Sequence, residues 1–139
     1  MALLAIAVAC VWAMLQPLRS SDAEAAALTA ASRGNLTAAI GDARDAVDQF
    51  PVAVDPLYAL SALYRAAGNV PLARSELVNA TKRQPNNPDT WFHLGQFDLS
   101  TRAPEQAISS FQHAITLDQG LYQATLAIVR ARAEIAAGR

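Results

Sequence analysis

Beyond residue 20 the chain alternates between alanine- and leucine-rich runs and short polar breaks that carry glycine, asparagine and proline. Within the runs, apolar residues recur every three or four positions, the period of an amphipathic α-helix. Alanine is the strongest helix former. The breaks fall at Gly34-Asn35, Gly68-Asn69, Pro85-Asn86-Asn87-Pro88 and Ala103-Pro104, each a turn signal. The pattern predicts helices near 21–33, 37–49, 55–67, 71–83, 89–101, 105–117 and 121–137, and the fold class is all-α. Ser21 and Glu24 suit a capping box for the first helix. Asp55-Pro56 and Asn87-Pro88 each read as an N-cap followed by proline at the first helical position.

The pattern repeats. Trp91-Phe92-His93-Leu94-Gly95 aligns with Leu57-Tyr58-Ala59-Leu60-Ser61 at an offset of 34 residues. In the same frame Ala107, Phe111 and Ala114 match Ala73, Leu77 and Ala80, and these match Ala39, Ala43 and Ala46. Pro51 and Pro85 hold equivalent closing positions, where Gln119 stands in the last unit. Small residues let helix axes approach, and the large ones fill the space between them.

On these residues the chain resembles the tetratricopeptide repeat family, whose period is the same. The third unit fits through Trp91, Leu94, Gly95, Ala107, Phe111 and Ala114. The second fits through Leu57, Leu60, Tyr64, Ala73, Leu77, Ala80 and Pro85. The first is degenerate and keeps small residues at Ala23, Ala26, Ala27, Ala30, Ala39 and Ala46, with Pro51. Asp98 departs from the pattern, because the family has an aromatic there. The resemblance implies a right-handed superhelical stack of antiparallel helix pairs over residues 20–139. Its repeats are expected at about 20–53, 54–87 and 88–121, followed by a capping helix at 122–137. Arg130, Arg132 and Glu134 give that last helix a polar face, as suits a terminal cap.

The opening segment, residues 1–18, adds a second feature. Ala2 to Leu15 holds no charged residue, and a helix of that length with its apolar continuation covers about 25 Å, slightly short of a bilayer core. Four readings stay open: a single membrane anchor, a cleaved signal peptide, the last span of a larger membrane protein, and an apolar helix in a soluble core. The signal-peptide reading lacks a basic n-region. Arg19 and Arg33 follow the segment, and no Lys or Arg precedes it. The positive-inside rule then places a membrane-anchored chain with its repeats in the cytoplasm. Cys10 is the only cysteine, so no intramolecular disulfide can form.

The formal charge of −1, with arginines scattered among aspartates, gives no basic stripe and excludes nucleic acid as the expected partner. The sequence has no HExxH or CxxC motif and no phosphate-cradling glycine loop. No catalytic residue, metal ligand or small-molecule cofactor is expected, and the chain does not read as an enzyme. His93 and His113 read as ordinary helix residues. Asp42, Asp45 and Asp48 with Arg44 read as a solvated helix face.

In the family, the first helix of each unit lines a concave groove that takes peptides or helices. The resemblance places Asp55, Tyr58, Ala62 and Arg65 there from the second unit, and Asp89, Phe92, Gln96 and Leu99 from the third. The last helix would add Gln123, Leu126 and Arg130, and the first unit Glu24 and Leu28. The central candidates are Tyr58, Arg65, Phe92, Gln96, Leu99 and Arg130, with Tyr58 and Phe92 stacked along the groove. The Lys/Asn clamp that chaperone-binding members use for C-terminal carboxylates is absent. The expected function is a membrane-tethered scaffold that binds a protein or peptide. The alternative is a C-terminal accessory domain of a larger polytopic membrane enzyme, because the layout resembles glycan ligases and polymerases of the O-antigen type. The active site would then lie outside this chain.

Overall fold

The computed structural model describes residues 35–138. They form helices α1 (Leu36–Gln49), α2 (Asp55–Ala66), α3 (Val70–Arg83), α4 (Pro88–Ser100), α5 (Pro104–Leu117) and α6 (Tyr122–Ala136). The bounds lie within a residue or two of those read from the pattern. The expected helix at 21–33, its capping box and the apolar segment 1–18 lie outside the described residues.

Helices α1, α3 and α5 begin at Leu36, Val70 and Pro104 and end at Gln49, Arg83 and Leu117, one repeat apart at both ends. Their starts are set locally. The Asn35 side chain accepts from Ala38 N–H and that of Asn69 from Leu72 N–H, satisfying donors that a helix N-terminus leaves orphaned. The third unit has Ala103 there, and Pro104 starts α5 without a side-chain cap. Asn87 caps α4 by accepting from Asp89 N–H at 3.0 Å. The N-cap of α2 is Val54 rather than Asp55, so Asp55 and Pro56 both fall inside the first turn. Proline is tolerated there because its missing N–H would be unpaired anyway.

The turns between paired helices repeat as well. Asn69 N–H donates to Tyr64 O and Ala103 N–H to Asp98 O, both at 2.8 Å. The residue before each donor is left-handed: Gly68 at φ 76° and Arg102 at φ 61°. Glycine takes that conformation freely, whereas arginine carries the Cβ penalty.

Helices pack against their neighbours in sequence, and α4 also meets α6. The core is built in register. Ala39, Ala73 and Ala107 are buried at one position, and Leu60, Leu94 and Ile128 at another. A third position grows along the stack from Ala43 to Leu77 to Phe111. The partner position shrinks to match, since a Cβ on Gly95 would meet the Phe111 ring at 2.7 Å. Phe111 is fully buried, which contributes about 3 kcal/mol at the usual transfer value. Between units, Arg83 donates to Ala53 O and Gln84 to Val52 O, tying the loop before α2 to the end of α3.

Three expectations need correction. Among the described residues no helix is long and apolar enough to cross a membrane, and the longest, α6, has 15 residues. This overturns the membrane-anchored placement. The face of α6 is not purely polar. It buries Ala124, Ile128 and Ala131, the first two in one cluster with Ala107 and Phe111 of α5, but leaves Tyr122, Leu126 and Val129 exposed. Arg44 is not merely solvated, because its guanidinium donates to the Tyr64 hydroxyl at 3.1 and 2.6 Å.

Candidate functional site

Helices α2 and α4 are the first helices of successive units, and no Cα of one lies within 8 Å of a Cα of the other. The space between them is an open groove of about 1030 Å³. Helical period decides what lines it. From α2 come Asp55, Tyr58, Ala62 and Arg65, and from α4 come Asp89, His93, Gln96 and Ser100. Both sets advance by three or four residues and so share one face of their helix. A smaller cleft of about 400 Å³ continues toward α6, sharing Gln96 and Ser100 and adding Leu99, Leu126 and Arg130.

Tyr58, Arg65 and Gln96 thus meet in the larger groove, and Gln96, Leu99 and Arg130 in the smaller. Phe92 goes elsewhere. It packs with Ala107, Phe111, Ala124 and Ile128, its ring centroid 5.6 Å from that of Phe111. The expected Tyr58–Phe92 stack is therefore corrected. The ring on Tyr58 is that of His93, centroid to centroid 4.5 Å. Tyr58 reaches across to α4 because that helix stands off from α2. Phe92, partly buried, packs instead against the cluster that α5 and α6 share. His93 was missed as a groove residue because it aligns with Ala59, which is buried. Only its neighbour's placement reveals it.

The floor of the groove carries an electrostatic tension. The Tyr58 hydroxyl oxygen is closed off from solvent and, among the described residues, has no hydrogen-bond partner. Burial pushes its pKa well above the ordinary tyrosine value, and the Asp89 and Asp55 carboxylates push it further. Arg65 lies with its guanidinium 6.0 Å from the centre of the Phe97 ring, within cation–π range. Asp55, Asp89 and Arg65 form no ion pair among the described residues. Arg130 pairs with Glu134 at 3.3 Å. The other histidine, His113, stacks on Trp91 at 3.9 Å, and Trp91 donates to Pro85 O. Among the described residues no group of His, Cys, Asp or Glu is arranged to hold a metal ion.

A stack of paired helices with an open groove on its first-helix face is the architecture of a helical-repeat protein. The sequence matches the tetratricopeptide repeat family over residues 24–80 and 58–122. The chain belongs to that family. Members of this fold generally serve as interaction scaffolds rather than catalysts. No curated protein matches the sequence.

Solved structures share the fold at low identity. The first tetratricopeptide domain of human RPAP3 matches at TM-score 0.66 and 14% identity, over 85% of this chain and 93% of that one. The first tetratricopeptide domain of Spaghetti (RPAP3), bound to the HSP90 peptide SRMEEVD, matches at 0.63 and 14%, over 84% and 93%. The Yersinia enterocolitica type III secretion chaperone SycD, in complex with a peptide of the translocator YopD, matches at 0.63 and 14%, over 82% and 92%. At these identities the likeness speaks for the fold alone. Neither the fold nor these relatives lend support to the glycan ligase or polymerase alternative.

Proposed function

We propose that this chain binds an extended peptide or protein segment in the groove between α2 and α4, with Tyr58, Arg65 and Gln96 as its principal contacts and Leu99 and Arg130 extending it. The observation that carries this is the groove itself: about 1030 Å³ left unfilled between helices that the chain's own packing holds apart. Two solved structures of the same fold hold peptides, from HSP90 and from YopD respectively. The repeat boundaries that go with this reading are 54–87 and 88–121, which give each full unit one groove-lining helix. Phe92 supports the wall from behind rather than touching the ligand.

The test is to select binders from a randomised peptide library and measure their affinity for Gln96→Trp. Gln96 is exposed, so the fold should tolerate the indole while the groove is blocked. An affinity loss of about tenfold or more, one hot-spot's worth, is expected. Undiminished affinity would place the binding site elsewhere.

A further inference from the structure

The groove has two chemically opposite edges. Asp55 and Asp89 stand 34 residues apart, in the first turns of α2 and α4, and both line the groove as exposed residues. Arg65 stands in the last turn of α2 and lines it from the other end. From Asp55 to Arg65 is ten residues of helix, about 15 Å at the ordinary rise. Among the described residues neither edge is neutralised by an ion pair, and Arg65 has only the Phe97 ring beside it. Between the edges lies Tyr58, its ring against the exposed ring of His93 and its shielded hydroxyl without a partner among the described residues.

We infer that the segment bound here is extended and zwitterionic, with a lysine or arginine side chain at Asp55 and Asp89 and an acidic side chain at Arg65. Successive side chains of an extended strand point to opposite sides. A strand running across α2 and α4 therefore offers one side chain to the acidic edge and its neighbour to the basic edge. A basic side chain entering at Asp55 and Asp89 brings N–H donors, and a tyrosine hydroxyl can accept from them once it is uncovered. The shielded Tyr58 hydroxyl has no partner among the described residues, and the ligand supplies one.

Both aspartates also suit the positive end of a helix dipole. A purely structural role of that kind predicts lost stability without changed selectivity, so the experiment reads selectivity. The inference rests on the groove reading above, and the two are separable. Short randomised peptides are displayed and selected on the whole chain, then on Asp55→Lys/Asp89→Lys and on Gln96→Trp. Lys or Arg next to Asp or Glu should be enriched on the native groove. Asp55→Lys/Asp89→Lys should lose about tenfold affinity for those peptides and regain it for versions with Glu in place of the basic residue. Arg65→Gln should abolish the preference for the acidic residue alone. Enrichment without a charge pattern, lost in Gln96→Trp, overturns this inference and leaves the groove reading standing. Enrichment that survives Gln96→Trp, or no enrichment at all, overturns both.

Discussion

Asp98 is completely buried and receives both its hydrogen bonds from Arg74, with Nε 2.6 Å from one carboxylate oxygen and Nη2 2.9 Å from the other. It stands one repeat after Tyr64, which takes both bonds from Arg44. Both repeat junctions are thus closed by an arginine fork reaching from the preceding second helix. Arg44 aligns with Val78, one helical turn beyond Arg74, so the shorter acceptor is served from a different turn. The bond holds the Arg74 guanidinium more firmly protonated than usual.

Removing Arg74 alone should therefore be costly. Arg74→Met leaves a carboxylate with no exposure of its own, and should destabilise by about 3 kcal/mol. That is the low end for a broken buried pair, because the Arg74 side chain is 42% exposed. Asp98→Leu together with Arg74→Met should cost less than Arg74→Met alone. Urea denaturation of both singles and the double closes the cycle. Additive losses would refute a coupled pair.

Arg102→Gly should stabilise the fold. Arg102 pays the left-handed penalty that Gly68 avoids at the same turn. Relief of about 1–2 kcal/mol, less the added freedom of glycine in the unfolded chain, leaves up to about 1 kcal/mol. Thermal melting should show a rise of a few degrees.

Gly95→Ala should destabilise by about 1–3 kcal/mol through overpacking. The new methyl would fall 2.7 Å from two atoms of the Phe111 ring, and that ring is enclosed on all sides. Adding Phe111→Leu should recover part of the loss in chemical denaturation, because the two positions share one volume.

Tyr58→Phe should stabilise the free protein by about 1 kcal/mol, since it removes a buried hydroxyl that has no partner among the described residues, while weakening peptide binding. It should also change the alkaline limb of the stability profile. The folded phenol pKa is raised, so the unfolded chain loses this proton first. The contribution of Tyr58 is full below about pH 10 and is lost as pH climbs toward the folded value. Denaturation from neutral pH to about pH 11 should show a steeper alkaline decline in the native protein than in Tyr58→Phe. Parallel declines would refute it.

The helical fold, the repeat period and the core positions are legible in the sequence, because each depends on local rules repeated at one spacing. Asn35 and Asn69 mark helix starts by capping, and Ala73 with Ala107 mark close approaches by lacking bulk. Periodicity puts Asp55, Tyr58, Ala62 and Arg65 on one helix face, and the family resemblance is what turns that face toward the groove. What each side chain meets across a repeat junction follows from neither. Tyr58 and Phe92 occupy equivalent positions and are both partly buried, yet one lies against the His93 ring and the other against Phe111. The spacing of α2, α4 and α6 decides between them, and that spacing depends on the volumes of residues distant in the chain. Asp98 reads as a broken motif until the fold brings Arg74, 24 residues earlier, within reach of its carboxylate.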